Sequence, residues 1–219
     1  MKTLRKFLPI CGIVASIIYV GSDIFSALRW EGYSYTAQSV SELRAIGAPT
    51  RPLLVPILAL YALLEIAFGL GIWGTAGRKR ALRITGVLLI GLGVVDVAAI
   101  FFPMHLRENI LQTGRTTTDT MHIIMTVVTL LLIFLIIGFG AAANRGWFRL
   151  YSYGTILILL MCGAWAFLDT PQIEANLPTP WLGVKERMNI YGYMLWIAML
   201  STVLLRAEMK PSPVASNNI

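Results

Sequence analysis

Asp119 and His122 stand three residues apart in "TTTDTMHIIM", at the start of a long apolar run. On a helix that spacing places both side chains on one face. A carboxylate beside an imidazole can hold a metal, activate a water or pass a proton. His105 and Asp96 lie close upstream, around the end of the preceding apolar run. Two histidines and two carboxylates are chemically adequate for zinc or a similar divalent ion. His105, His122 and Asp119 are therefore the candidate metal ligands, and Asp96, Asp119 and His122 the candidate catalytic set, with or without a metal. The competing reading is structural: Thr118 or Asp119 caps the helix that follows, and His122 hydrogen-bonds near its end. There is no HExxH spacing and no cysteine cluster, so the sequence requires no cofactor.

A second group points to binding. In "YSYTAQSVSELRAIGAPTRP" (33–52), Ser39 and Glu42 have the spacing of a capping box, in which each satisfies the other's backbone amide. Val40, Leu43 and Ile46 then recur at helical spacing, Gly47 is a natural left-handed stop, and Pro49 prevents continuation. These residues predict a two-turn helix at the membrane interface, its apolar edge toward lipid or the bundle. Capping leaves Tyr33, Tyr35, Ser41 and Arg44 unassigned. Ser41, Glu42 and Arg44, with Glu186 and Arg187 of "GVKERMN", are the candidate binding residues. Arg187 is expected to meet Asp119 or Asp169, and Glu186 to meet Arg44 or Arg107, tying three loops together; the plainer alternative is a solvated charge run. Thr179, followed by Pro180 at a first helical position, is expected to cap the last span.

The elements that position these groups follow from composition. An ordinary soluble domain carries about 25% charged residues, whereas this chain of 219 residues carries 13% and is 57% hydrophobic. Six runs are long enough to approach the roughly 20 residues a spanning helix needs: about Phe7–Phe25, Leu53–Trp73, Arg83–Phe102, Met121–Ala143, Tyr153–Leu168 and Ile190–Leu205. None alternates as a membrane β-barrel strand does. The fold class is all-α, a polytopic bundle of six transmembrane helices plus the short interfacial helix. The fifth run is short and is expected to extend past Asp169 or to tilt little. Residues 1–210 are read as one domain and 211–219 as a disordered tail.

With six spans, eleven of the 18 lysines and arginines fall on the side that holds both termini, among them Arg78, Lys79, Arg80 and Arg83. That excess predicts cytoplasmic termini in the cell membrane. "GRKRALR" is then an orientation signal and a contact for anionic lipid rather than a nucleic-acid site. The first run is read as a retained span, not a cleaved signal peptide. Cys11 and Cys162 lie inside spans and behave as small hydrophobes. Small residues at Gly12 and Ser16, Ala67, Gly69 and Gly71, and Gly86, Gly91 and Gly93 mark close helix packing. Acids within spans are expensive and default to function. Asp23 lies near the outer end of its span, Asp96 about 9 Å and Glu65 about 18 Å from the outer ends of theirs at 1.5 Å per residue. With no cation at its depth, Glu65 is expected to be neutral or hydrogen-bonded to a neighbouring helix.

"SVSELRAIGAP" leading into a long span, "FFP" closing the third, a histidine opening the fourth and "GVKER" before the sixth resemble the six-span proteins grouped as domain of unknown function 998 (DUF 998). The resemblance covers about Gly12 to Leu205. The positions that match its pattern are Ser41, Glu42, Leu43, Gly47, Pro49, Pro103, His122, Gly183, Glu186 and Arg187; Arg44-Ala45-Ile46 is bulkier than the glycine-rich version in that pattern. The family implies six spans and carries no activity. The residues themselves suggest an outward-facing polar pocket under Val40–Ile46, lined by Asp96, Asp119, His122, Glu186 and Arg187, for a lipid headgroup or small solute. The alternatives are a membrane-embedded hydrolase and a proton-coupled transporter with Glu65 as carrier. The implied partner is the lipid bilayer.

Overall fold

Apolar runs in lipid must satisfy their backbone groups internally, which leaves a lone run no choice but a helix. The computed structural model describes residues 2–209 and bears this out; the tail expected at 211–219 lies outside the described residues. Its helices are α1 (Lys2–Arg29), α2 (Arg51–Thr75), α3 (Arg80–Ala99), α4 (Arg107–Thr113), α5 (Thr117–Ala143), α6 (Trp147–Phe167), α7 (Thr170–Glu174) and α8 (Leu182–Met209), with a 3₁₀ turn at Val40–Arg44. Among the described residues there is no strand, only one isolated bridge between Ile46 and His105. Six helices are long and apolar enough to cross a membrane: α1, α2, α3, α5, α6 and α8.

The six spans close into a ring: α1 on α2, α2 on α3, α3 on α5, α5 on α6, α6 on α8, and α8 back on α1. One end of the ring, the terminal face, carries the first and last helix ends and two short turns. The other, the loop face, carries the three long connectors. Trp196 of α8 is fully buried, stacked beside Phe148, with its indole N–H donating to Ser152 Oγ at 2.9 Å. Water does not drive helices together inside lipid, so close backbone approach does much of the holding. A long seam of close backbone approach joins α2 to α3. A Cβ on Gly86 would lie 2.7 Å from the Trp73 backbone nitrogen and 2.8 Å from the Gly69 carbonyl, and one on Gly93 2.9 Å from the Ala62 carbonyl. Gly91, expected at a seam, faces open space instead.

The helix ends differ from the sequence expectation for one physical reason. Charges were taken as span boundaries, yet α8 begins at Leu182 and winds Lys185, Glu186 and Arg187 into its first turns, because partners await them. The fifth span lengthens at both ends: it begins at Trp147, just after Gly146, whose φ of 67° makes the turn from α5, and its membrane-capable stretch runs past Asp169 to Ile173, as expected. The interfacial helix is a five-residue 3₁₀ turn, shorter than the two α-turns expected. Ala45 is extended and Ile46 N–H is drawn to the Met104 carbonyl at 2.8 Å, which ends the helix early. Its apolar edge faces the bundle: Leu43 is fully buried against Leu54 and Leu58. Gly47 does take the left-handed form, at φ 92°.

Replacing Gly86 with alanine should force α2 and α3 apart and cost about 1–3 kcal/mol. Gly91→Ala, with free space around it, should be neutral or stabilising by up to about 1 kcal/mol. Thermal unfolding of both purified variants in one detergent checks the pair.

Candidate functional site

The loop face is assembled by charges that reach across the chain. The capping box at the 3₁₀ turn forms as expected: Glu42 N–H donates to Ser39 Oγ at 3.2 Å and Ser39 N–H to Glu42 Oε2 at 2.7 Å. The Glu42 carboxylate has a second task. Arg107, at the start of α4, grips it with Nε to Oε1 at 2.6 Å and Nη2 to Oε2 at 2.9 Å. Arg107 Nη1 also donates to Thr179 Oγ1 at 3.2 Å, whose own hydroxyl donates to the Ala37 carbonyl at 2.8 Å. Thr179 is thus a bridge between loops rather than the cap expected for the last span. The turn's carbonyls are taken by α2, Leu43 by Thr50 Oγ1 at 2.6 Å and Arg44 by Arg51 Nη1 at 2.7 Å.

Arg187 does not meet Asp119 or Asp169. Its guanidinium forks onto Asp23 of α1, Nε to Oδ2 at 2.9 Å and Nη2 to Oδ1 at 3.0 Å, with both residues at most 3% exposed. Tyr191 O–H also donates to Asp23. Arg187 Nη1 donates to the Tyr35 carbonyl at 2.7 Å, and its guanidinium lies 3.6 Å from the centre of the Tyr35 ring. Tyr33 O–H accepts from Arg187 at 3.0 Å and donates to the Ser39 carbonyl at 2.8 Å; burial raises the phenol's pKa and keeps that proton in place. Gly183 permits all of this, since a Cβ there would lie 2.5 Å from the Gln38 carbonyl and 2.8 Å from Arg187 Nη1. Glu186 meets neither Arg44 nor Arg107; its Oε2 accepts Val40 N–H at 2.8 Å and pins the turn to α8. Lys185 takes Asp169 instead, at 2.7 Å. The solvated charge run is thereby excluded.

The Asp119 and His122 constellation splits in two. The cap of α5 is Thr116, not Thr118 or Asp119, and Asp119 completes its capping box, accepting from Thr116 N–H at 2.9 Å and Oγ1 at 2.7 Å. Asp119 also accepts His105 N–H at 2.7 Å and faces His105 Nδ1 at 3.1 Å. His122 turns elsewhere, with Nδ1 3.3 Å from the Phe102 carbonyl and Nε2 3.2 Å from Ser41 Oγ. A carbonyl only accepts, so Nδ1 carries the proton there. Among the described residues no group of three or more His, Cys, Asp or Glu side chains could hold a metal ion, and the set His105, His122 and Asp119 does not converge.

Asp96 instead joins Glu65 deep in the bundle. Tyr193 O–H donates to Glu65 Oε1 at 3.0 Å and Tyr61 O–H at 3.4 Å, while half-buried Asp96 of α3 lies within electrostatic range. Glu65 Oε2 is buried without a donor unless one carboxyl supplies a proton. The sequence placed these acids at different depths. Helical side chains lean toward their own N-terminus, so on antiparallel α2 and α3 the two lean toward each other. Arg44 lies within electrostatic range of Asp96, Tyr19, His122 and Glu186. A narrow recess lined by Tyr19, Ser22, Asp23, Val40, Leu43, Arg44, Leu54 and Leu58 runs beneath the turn, with room for about one water. Tyr61 stands one helical turn before Glu65, a spacing that could have flagged it. Nothing local marks Tyr193, Tyr191, Arg107 or Thr179 as partners.

These spans and their buried polar seam define a multi-pass integral membrane protein that lives in a lipid bilayer. A family model described as a protein of unknown function (DUF998) matches residues 13–203, and the chain belongs to that family. No curated protein and no solved structure matches it.

Asp23→Ala strands the Arg187 guanidinium and should cost about 3–5 kcal/mol. His105→Ala should cost about 1 kcal/mol or less, since Asp119 keeps its threonine and backbone donors. Unfolding of the detergent-solubilised variants distinguishes them, and Arg187→Lys should not restore native stability, because lysine lacks the fork.

Proposed function

We propose that this protein couples a proton to the handling of a small polar solute. The solute approaches beneath the 3₁₀ turn, and the Glu65–Asp96 pair takes up or releases the proton. The observation that carries this reading is Glu65, an acid 3% exposed within a span, whose Oε1 accepts from Tyr193 while its Oε2 has no hydrogen-bond partner, with the second acid Asp96 within electrostatic range on α3. The groups facing the pair favour exchange over permanent pairing. Tyr61 and Tyr193 donate to Glu65, Tyr19 stands nearby on α1, and the cation in range, Arg44, forms no hydrogen bond or ion pair through its guanidinium among the described residues.

The recess under the turn has room for about one water, which favours a small solute over a lipid headgroup. The charge excess beside the termini supports a loop face outside the cell membrane. Reconstituted vesicles carrying a pH dye inside, challenged with sodium, potassium, ethanolamine and neutral amino acids, test the reading. At least one solute should change internal pH, and Glu65→Gln or Asp96→Asn should abolish the change while Glu108→Gln leaves it. A response that survives Glu65→Gln removes the reading.

One contact supports a hydrolytic alternative: Ser41 Oγ lies 3.2 Å from His122 Nε2. Labelling of Ser41 by a fluorophosphonate, lost in His122→Ala, would turn the assignment toward it. We expect no such labelling, because Ser41 is not among the residues that line the recess beneath the turn.

A further inference from the structure

A wide groove lies at the opposite end of the molecule from the acid pair. It has a volume of about 640 Å³ and is lined by Gly77, Arg78, Arg80, Arg83, Ile84, Val87 and Leu88. We propose that this groove holds one anionic phospholipid, its phosphate on the arginines and the start of an acyl chain on Ile84, Val87 and Leu88. The proposal is independent of the proton-linked function.

Charge complementarity argues for that occupant. Arg78, Arg80 and Arg83 are all exposed, and the sequence has no acid between Glu65 and Asp96 to neutralise them. Arg83 spends one Nη2–H on the Gly77 carbonyl, at 2.7 Å, which holds its guanidinium against the turn between α2 and α3. The opening amides of α3 receive no side-chain cap, adding donors beside the same arginines. An orientation signal alone needs no such geometry. Arg149, on the other turn of this face, is consumed by the Ala141 and Asn144 carbonyls and closes the end of α5.

The apolar half excludes a simple phosphate ion. Ile84, Val87 and Leu88 follow Arg80 by four, seven and eight residues, a single stripe of α3. At 1.5 Å per residue the stripe runs about 6–12 Å beyond Arg80 and begins directly after Arg83, reaching the depth at which headgroup gives way to acyl chain. Val87 is 52% exposed, open to lipid rather than packed in the ring. A lipid that places phosphate above and hydrocarbon below fits both halves at once.

Native mass spectrometry of the purified protein with phosphatidylglycerol or phosphatidylcholine tests this. The native chain should retain phosphatidylglycerol preferentially. Each arginine replaced by glutamine should weaken retention about fivefold, so Arg78→Gln/Arg80→Gln/Arg83→Gln together should lose on the order of 100-fold. Arg145→Gln, an exposed arginine on the same face, should change nothing. Should the triple variant fail to fold, Arg80→Gln alone still reads the fivefold step. Equal retention of the two lipids, undiminished retention after arginine replacement, or full competition by inorganic phosphate would each overturn the proposal.

Discussion

A charge buried beside lipid must find its counter-charge or unravel the structure, and Asp23 with Arg187 is where this chain meets that constraint most fully. The two are 164 residues apart and bring the first and last spans together at the loop face. Removing two charges from water costs several kcal/mol per ion, recovered only when every lone pair and N–H is used. Here Tyr191, Tyr33 and the Tyr35 carbonyl use the remainder. Packing follows from the same pair. The guanidinium orders the segment from Tyr33 to Ser39, and that segment can rest on α8 only because residue 183 is glycine.

From that clamp the rest of the face is built outward. Once Ser39 is positioned, Glu42 completes the capping box and presents its carboxylate to Arg107, which draws in the connector between α3 and α5. Glu186 fastens the same turn to α8 through the Val40 amide, and Thr50 and Arg51 fasten it to α2. Three elements, α2, α4 and α8, therefore share one five-residue turn. Any motion that opens the recess beneath it must break several charge-assisted bonds together, so access there is all-or-none rather than gradual.

How much of this is legible in the sequence depends on the range of the forces involved. The spans are legible because hydropathy is a property of consecutive residues, and the Ser39–Glu42 box because a cap is local. Gly47 as a left-handed stop is legible for the same reason. The start of α8 is not, since whether Lys185 to Arg187 end a helix or enter it depends on acids far away in the chain. Asp119 and His122 share a helix face by spacing, yet each turns to partners of its own. Helical spacing puts the two on one face but says nothing of their χ angles, and the neighbours that turn His122 toward Ser41 come from 81 residues away. The family pattern named Glu42, Gly183, Glu186 and Arg187 without saying what they hold. Each is now seen to fix the loop face to itself.

That outcome moves the search for function inward. A residue whose hydrogen bonds are all satisfied within the chain gives a ligand nothing to replace, and Asp23, Glu42, Arg107, Asp119 and Arg187 are all in that state. Glu65 and Asp96 are not. The donors around them reach one oxygen of Glu65, the other has none, and the cation within range stays at a distance. A pair built only for stability could have been made as Asp23 with Arg187 and Glu42 with Arg107 are, with a guanidinium in direct contact. Glu65 instead keeps a buried oxygen that no donor reaches, which is what the proposed proton uptake rests on. A saturated clamp above and an unsaturated pair below divide the labour: the first holds the turn closed over the recess, and the second keeps a group beneath it whose charge can change.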